Sequence, residues 1–445
     1  MTESTAGRVA RLSTLAHPLP AGMRDLLPAA ARARAALARR LIESFELYGY
    51  ERVTLPVFEY ADVLERGLGS LDGNEVLRFV EPETGEVVAL RPDMTPQVAR
   101  LLATRLADAP PPARLCYEGS VLRRRRERAR RHRQIPQAGI ELLGRSGPAG
   151  DLEVLSTACA AVRAAGLVDY VLDLGHARIA GALLETAAPE QRPELVEALA
   201  LKDSSELTRR AETSGMSGSI LAGLAALPEL SGGDEVWPRA ERLLAKTPAG
   251  PAVQELRALW DAAAALGLAP NLVVDLGETW NFAYYTGSMF QILADGPGEA
   301  VGSGGRYDGL LERFGLPRAA AGFAIDLDNL AWALDRSGID ERAYTKVLIS
   351  GADAQQAVPR GLLAELMAHL RGLGVPSAPA PDEAALAYCR AWRYSHLVEI
   401  GKESVTLIRI ADEKQTRWPR AEAPVLASQI AAEVGAAELG ARGES

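Results

Sequence analysis

The 445-residue chain is 48% hydrophobic and 24% charged, which is typical of a globular protein, and its length predicts two or three domains. Its formal net charge of −9 argues against a broadly basic nucleic-acid binder, so any anion site must be local. No apolar run reaches the ~18 residues of a membrane span, and Cys116, Cys159 and Cys389 show no metal-ligand spacing; we expect a cytoplasmic protein without metal or cofactor.

The N-terminal elements begin after residues 1–17, which we expect to form a flexible terminus. Residues 29–47 lack Gly and Pro and are rich in Ala, Arg and Leu, so their propensities predict a helix that ends at Gly49. Apolar and polar residues then alternate over 52–57. This pattern predicts a strand, which Pro56 confines to an edge or an interface.

Five further short strands are predicted where apolar runs are bounded by turn residues. They cover 87–90, 115–117, 140–143, 171–174 and 272–276. Together they indicate an α+β domain over residues 18–335, with a largely antiparallel sheet flanked by helices. Within it, residues 178–267 are rich in Ala, Leu and Glu and are broken by prolines, which predicts a helical insertion.

The last hundred residues show a different pattern, in which strands and helices alternate. This predicts a small α/β domain over 345–425 and a frayed tail over 426–445. Strands are expected at 346–349, 375–381, 397–400 and 404–410, and helices at 358–372 and 383–394.

Two blocks carry the most specific signal in the chain. Tyr284-Tyr285-Thr286-Gly287 and Gly304-Gly305-Arg306-Tyr307-Asp308 resemble the two histidine-specific signatures of histidyl-tRNA synthetases. Residues 49–59 resemble motif 1 of class II synthetases, a dimer-forming element, and the C-terminal domain resembles an anticodon-binding domain. The resemblance covers residues 18–330 and implies a class II aminoacyl-tRNA synthetase-like fold.

The resemblance also implies a pocket for histidine. A spacing of four places two of its residues, Gln137 and Glu141, on one face of a strand. Each member also has a purely structural interpretation: Asp93 as the cap of a helix beginning at Thr95, the strand pair as solvent-facing residues, and the tyrosines as core aromatics. The implied histidine-binding residues are Asp93, Thr95, Gln137, Glu141, Tyr285 and Tyr307.

The segments that bind ATP in those synthetases depart from the family pattern. Trp280 stands where an arginine serves adenylation, Arg125 replaces a glutamate that helps to hold adenine, and Asn329 replaces an arginine that binds the triphosphate. Asp326 replaces a glycine, whereas Arg123 retains a phosphate-contacting arginine. Because the loss of one phosphate-stabilising arginine costs ~10³–10⁵ in rate, we expect no catalysis by this chain.

Eight arginines crowd residues 123–133, a loop too cationic to be buried. It is either a solvated loop or a contact for RNA phosphates or an acidic partner, with Arg123 and Arg131 as possible anion-binding residues. No aromatic residue interleaves the arginines, which weakens the case for RNA.

A retained histidine pocket beside a dismantled ATP site is similar to the pattern of ATP phosphoribosyltransferase regulatory subunits, which are catalytically silent paralogues of histidyl-tRNA synthetase. The resemblance implies a short-form catalytic subunit as partner in a hetero-octamer, self-association as a homodimer, and histidine as the feedback effector of the first step of histidine biosynthesis. Two alternatives stay open: an active histidyl-tRNA synthetase, favoured by the C-terminal domain and Arg123, and an RNA-binding paralogue that uses the arginine-rich loop.

Overall fold

The structure is a computed structural model. It describes residues 19–68, 76–123, 132–279, 284–336, 345–351, 360–381 and 384–435. The chain divides into two compact units, Met1–Ile339 and Asp340–Ser445. None of the helices within the described ranges combines the length and the apolar character that a bilayer crossing requires.

A nine-stranded sheet organises the first unit. In chain order the strands of this unit are β1 (Glu51–Arg52), β2 (Phe58–Tyr60), β3 (Arg78–Val80), β4 (Val87–Leu90), β5 (Ala113–Leu122), β6 (Gln134–Leu143), β7 (Val171–His176), β8 (Ser231–Gly232), β9 (Leu272–Asp275), β10 (Ser288–Leu293), β11 (Gly302–Arg306) and β12 (Ala320–Asp326). The large sheet has the order β1-β5-β6-β12-β11-β10-β7-β9-β8, and β2, β4 and β3 form a separate small sheet. Of the eight neighbouring pairs in the large sheet, six are antiparallel, which confirms the predicted fold class.

The helices of the first unit lie on both faces of this sheet. They are α1 (Pro28–Leu47), α2 (Ala61–Leu68), α3 (Thr95–Arg105), α4 (Pro148–Ala165), α5 (Ala177–Leu184), α6 (Arg192–Ala200), α7 (Ser204–Thr213), α8 (Gly218–Ala226), α9 (Trp237–Leu244), α10 (Gly250–Ala263), α11 (Gly309–Glu312) and α12 (Leu327–Arg336). Helix α1 begins with a proline at its first position, where the missing N–H removes no hydrogen bond. Phe45 of α1 packs edge-to-face on Phe323 of β12, with 5.5 Å between ring centroids, in the larger hydrophobic core.

On the opposite face of the sheet, two glycines lie beside Glu141. The strand register places Glu141 of β6, Gly322 of β12 and Gly305 of β11 side by side. A Cβ on Gly322 would overlap the Glu141 carboxylate and would lie 2.5 Å from the hydroxyl oxygen of Tyr307. Only glycine at this position lets those two polar groups lie across the strands.

The strand predicted over 52–57 is wrong beyond Arg52. Only Glu51 and Arg52 pair with β5, although the Val53 amide still donates to the Cys116 carbonyl at 2.9 Å. The carbonyls of Leu55 and Pro56 accept instead from the Arg91 guanidinium, at 2.9 and 3.0 Å. A buried arginine thus replaces the neighbouring strand that the alternating pattern predicted.

The second unit has its own five-stranded sheet, in the order β14-β13-β15-β16-β17. Its elements are β13 (Val347–Gly351), α13 (Arg360–Gly372), β14 (Ser377–Pro379), α14 (Ala385–Ala391), β15 (His396–Ile400), β16 (Ser404–Arg409), β17 (Gln415–Pro419) and α15 (Ala423–Glu433). The expectation of a frayed tail from residue 426 is wrong for its first part, because α15 buries Leu426 and Ile430 in the core of this unit.

Candidate functional site

A buried carboxyl group lies at the centre of the site. Glu141 of β6 is 1% exposed, and its Oε1 accepts hydrogen bonds from Thr95 Oγ1 at 2.7 Å and from the Tyr117 hydroxyl at 3.0 Å. Burial, together with the negative charge of Asp93, raises the pKa of Glu141 well above its ordinary value, although the two donors act in the opposite direction. The carboxyl group is therefore held in one place by two elements, α3 and β5.

Three tyrosines pack beside this carboxyl group. The ring centroid of Tyr284 lies 5.2 Å from that of Tyr285 and 5.1 Å from that of Tyr307. Burial is the main cause that raises the pKa of Tyr284 well above its ordinary value, and the charges of Asp93 and Glu141 add to it. Burial likewise raises the pKa of Tyr285, so these two phenols are neutral hydroxyl groups at physiological pH, able both to donate and to accept.

The site contains buried polar atoms without a hydrogen-bond partner. Within the described ranges these are Glu141 Oε2 and the hydroxyl groups of Tyr284 and Tyr307. A buried polar group left unsatisfied costs about 1–3 kcal/mol. Three of them side by side are the arrangement expected of a site built to hold a small polar ligand.

The predicted residues Asp93 and Thr95 lie at the start of α3. The Asp93 carboxylate accepts a 3.2 Å hydrogen bond from the Thr95 amide, and its other oxygen lies 3.8 Å from the Arg123 guanidinium. Met94, not Asp93, occupies the N-cap position of the helix. Asp93 therefore contributes to the helix start, as the structural interpretation proposed, and also places a negative charge beside the tyrosines.

Gln137 lies four residues before Glu141 on β6. It shares a strand face with Glu141, pairs with Gly119 and Asp326, and is partly exposed. Four residues of strand separate the two by about 13 Å. The structure thus brings together Asp93, Thr95, Glu141 and the tyrosines, and it places Gln137 at the far end of an elongated site.

The sequence reasoning missed two residues of this site. Tyr117 donates directly to Glu141, and it was not predicted because its position opposite Gly139 depends on the register between β5 and β6. Tyr284 was quoted in its block, but only Tyr285 was selected from that pair. Both rings enter the site because this segment is a turn, where the alternation of a strand does not apply.

The nucleotide side, predicted from lost catalytic positions, has its polar groups engaged within the fold. Asp326 Oδ1 accepts from the amides of Asp328 and Asn329 at 2.8 and 3.1 Å, so a carboxylate occupies the N-terminus of α12. The Asn329 side chain is buried and donates to the Ala300 carbonyl at 2.8 Å, and Arg24 pairs with Asp328. A helix N-terminus can attract a phosphate, but this one already holds an anion of the chain.

The one retained cation of this side is also engaged. Arg123 Nε donates to the Pro92 carbonyl at 2.6 Å, beside its contact with Asp93. The other residues predicted for this side, Trp280, Arg125 and Arg131, lie outside the described residues. Within the ranges that are described, no group of three His, Cys, Asp or Glu side chains could hold a metal ion.

A half-buried carboxyl group, that of Asp173, lies on β7. Burial raises the pKa of Asp173 to about 7, the nearby charges of Asp275 and Glu278 act in the same direction, and Lys202 opposes them. Lys202 is itself bound by Asp275, with Nζ 2.8 Å from each carboxylate oxygen.

Comparisons with known proteins identify relatives over most of the chain. The family model for histidyl-tRNA synthetase matches residues 22–330. The chain is 36% identical over 404 residues to an ATP phosphoribosyltransferase regulatory subunit of Syntrophotalea carbinolica, covering 88% of this chain and 93% of the relative. It is 46% identical over 328 residues to a protein of the same name from Anaeromyxobacter sp. strain Fw109-5, covering 72% of this chain and 93% of the relative.

A solved structure shows the same architecture. It is an ATP phosphoribosyltransferase regulatory subunit/histidyl-tRNA synthetase from Bacillus halodurans, with a TM-score of 0.75 and 26% identity, covering 86% of this chain and 98% of that protein.

Proposed function

The chain belongs to the ATP phosphoribosyltransferase regulatory subunits, within the histidyl-tRNA synthetase fold family, and from that membership we propose that it binds histidine around Glu141 and thereby controls a separate catalytic subunit. The observation that carries this proposal is the group of unpaired buried atoms, Glu141 Oε2 and the hydroxyl groups of Tyr284 and Tyr307. A histidine side chain supplies both a ring N–H donor and a ring nitrogen acceptor. The carboxylate takes the donor, and the two hydroxyl groups serve either role.

The α-amino and carboxylate groups of the ligand extend toward the other predicted residues. Asp93 supplies a negative charge for the ammonium group. Arg123 donates to Pro92 through its Nε, and its terminal nitrogen, 3.8 Å from Asp93, supplies a positive charge for the carboxylate. Gln137 adds an amide at the far end of the strand face. Histidine thereby has a partner for each of its polar groups.

The nucleotide side supports a regulatory role without catalysis. The phosphate-binding arginine is replaced by Asn329, which is buried and bonded to Ala300. The carboxylate of Asp326 would repel a polyphosphate at the same helix N-terminus. The chain therefore retains the groups for recognising an amino acid and lacks those for activating it.

The name that the relatives carry supports a catalytic partner subunit. Their partner would be the short catalytic subunit that transfers phosphoribosyl to ATP at the start of histidine biosynthesis, and this chain would be required for its activity and its inhibition by histidine. An exposed aromatic surface on the small sheet, with Phe58, Tyr60 and Phe79 each more than 40% exposed, supports the proposed homodimer within a hetero-octamer.

Calorimetric titration with histidine and with ATP separately tests this function. We expect histidine to bind and ATP not to bind. In the assembled complex, Glu141→Ala should abolish inhibition by histidine and leave activation of the catalytic subunit intact. The matched control is Glu206→Ala, which removes a carboxylate that two arginines of α7 bind and should leave inhibition unchanged.

Three outcomes would contradict the proposal. Inhibition that survives in Glu141→Ala would place histidine elsewhere. ATP–pyrophosphate exchange driven by histidine at the rate of a synthetase would make the chain an active histidyl-tRNA synthetase. Binding of tRNA with a steep dependence on salt would favour an RNA-binding paralogue.

A further inference from the structure

Arg306 belongs to the same signature block as Tyr307 but faces the other side of the sheet. Adjacent residues of an extended chain point to opposite faces. The Tyr307 ring lies beside Gly322 in the proposed histidine site, while the Arg306 side chain points to the other face and pairs with Asp151 of α4. Arg306 is 6% exposed. The two side chains therefore connect the two faces of the sheet through one peptide bond.

The Arg306 guanidinium uses all its donor positions within the fold. Nε and NH2 contact Asp151 Oδ1 at 2.7 and 2.5 Å. NH1 donates to Asp308 at 2.9 Å and to the Arg145 carbonyl at 3.3 Å, and NH2 donates to the Gly147 carbonyl at 3.1 Å. Arg306 thus fixes the start of α4 and the segment before it to the block that carries Tyr307.

Glu153, one turn further along α4, extends this network. Its Oε2 accepts from Arg145 at 2.5 Å, and its carboxylate accepts two bonds from Arg114 of β5 at 2.6 and 3.1 Å. The Tyr50 hydroxyl donates to Glu153 at 3.3 Å. Tyr50 lies immediately before β1, the exposed edge strand of the large sheet.

These contacts form one continuous path. It runs from Tyr307 to Arg306 along the backbone, and from the Arg306 guanidinium to the backbone carbonyl of Arg145. The Arg145 side chain then donates to Glu153, which accepts from the Tyr50 hydroxyl. We infer that Arg306 is a positioning residue that sets Tyr307 in the histidine site and, through Glu153, transmits occupancy of that site to the sheet edge at β1. The inference rests on the proposed function, because it requires histidine to bind at Tyr307.

Hydrogen exchange on the full chain tests the path without the catalytic partner. Two amides report on its far end: Tyr50 N, bonded to the Phe45 carbonyl, and Val53 N, bonded to the Cys116 carbonyl. Saturating histidine should slow their exchange in the wild-type chain by about 5-fold or more, the lower end of ordinary coupling between sites. The amides of Thr95 and of residues 97–99, at the site itself, should be slowed as well.

Two variants should remove the effect of histidine on hydrogen exchange at the far end of the path while keeping its effect at the site. Arg306→Lys keeps the charge but loses the planar fork, and Glu153→Gln keeps the shape but loses the charge. In both, saturating histidine should still protect the amides of Thr95 and residues 97–99 but no longer protect those of Tyr50 and Val53. Arg257→Lys is the control, because Arg257 also contacts two carboxylates, Asp234 and Asp261, and should retain the wild-type response.

The outcomes distinguish this inference from the function on which it rests. Histidine binding with no protection at Tyr50 and Val53 in the wild-type chain would overturn the inference alone. The same holds if both variants keep that protection. If histidine does not bind the wild-type chain, the proposed function fails and the inference fails with it.

Discussion

The polar groups at the two ends of the site differ in whether they have hydrogen-bond partners. At the Glu141 end, a carboxylate oxygen and the hydroxyl groups of Tyr284 and Tyr307 are buried without a partner within the described residues. At the α12 end, Asp326 accepts from two backbone amides and Asn329 donates to a carbonyl. One end bears an unfavourable free energy that a ligand would relieve, and the other has already satisfied its groups internally.

This difference indicates how a ligand site can be distinguished from a former one. Sequence substitutions show which charges are missing, but they do not show whether the remaining groups still wait for a ligand. Hydrogen-bond satisfaction adds to that information where several unpaired groups lie together, as Glu141, Tyr284 and Tyr307 do, whereas single unpaired atoms such as the Trp237 Nε1 also occur elsewhere in the fold.

The largest expected effect is that of Gly322→Ala. Its Cβ would overlap the Glu141 carboxylate and approach the Tyr307 hydroxyl oxygen to 2.5 Å, so both groups would have to move. Since overpacking costs about 1–3 kcal/mol before ligand contacts are counted, we expect calorimetry to show a loss of histidine affinity of about 100-fold or more. Gly181→Ala is the control, because a Cβ there meets no atom within 4 Å. Unchanged affinity in Gly322→Ala would show that histidine does not bind beside Glu141 and Tyr307.

Tyr307→Phe should change binding and stability in opposite directions. Removal of a buried hydroxyl group without a partner should raise the free energy of unfolding of the first unit by up to about 1 kcal/mol. Histidine affinity should fall about 10-fold, because one ligand hydrogen bond is lost. Denaturant titration and calorimetry on the same variant measure both. A variant that is less stable and binds normally would mean that the hydroxyl group serves the fold.

Of the two carboxyl groups with raised pKa, Glu141 and Asp173, only the contribution of Glu141 to the pH dependence of stability should respond to histidine. A raised pKa means that the folded state holds the proton more tightly than the unfolded state, so the free energy of unfolding falls as pH rises above the ordinary carboxyl value of 4.5. Asp173, with its pKa raised from 3.8 to about 7, should contribute a similar fall within that interval. Saturating histidine should flatten the contribution of Glu141, because its donors stabilise the carboxylate.

The Glu141→Gln and Asp173→Asn variants assign the two contributions. Denaturant titration across the pH range should show that histidine no longer changes the slope in Glu141→Gln and still changes it in Asp173→Asn. The reverse result would indicate that histidine binds at Asp173 of β7.

The smallest effect is expected at the other end of the site. Asp326→Ala removes the carboxylate that binds the first amides of α12, and loss of such a cap costs about 1 kcal/mol. Histidine affinity should stay within about twofold, since no ligand group uses this carboxylate, and no ATP binding should appear. Asp203→Ala, which uncaps α7, is the matched control for stability. A gain of ATP affinity in Asp326→Ala would show that this end still forms a nucleotide site.

Sequence patterns predicted the strands that fall on β4, β5, β6, β7 and β9 and the helix that falls on α1, because these depend on local periodicity and on turn residues. They did not predict β10, β11 and β12 at the centre of the sheet, or the helix α4. The segment after Arg52 was predicted wrongly because its carbonyls bond to Arg91, which is 36 residues away from Leu55. Glu141 and Tyr307 were selected from family motifs, and their role as histidine ligands stays a prediction. Tyr117 could not be found in this way, since its contact with Glu141 depends on strand register, and the role of Asp326 as a helix cap depends on where α12 begins.

If the chain has lost nucleotide chemistry as we propose, the capped start of α12 would make that loss hard to reverse one mutation at a time. A single change of Asn329 to arginine would bring a cation into a position where the side chain is buried and bonded to Ala300, while the Asp326 carboxylate still occupied the helix terminus. Removing Asp326 alone would weaken the helix, and Arg24 would still be paired with Asp328. We expect either change alone, at Asn329 or at Asp326, to lower stability without yielding affinity for phosphate. Both positions would therefore have to change together before a phosphate could bind.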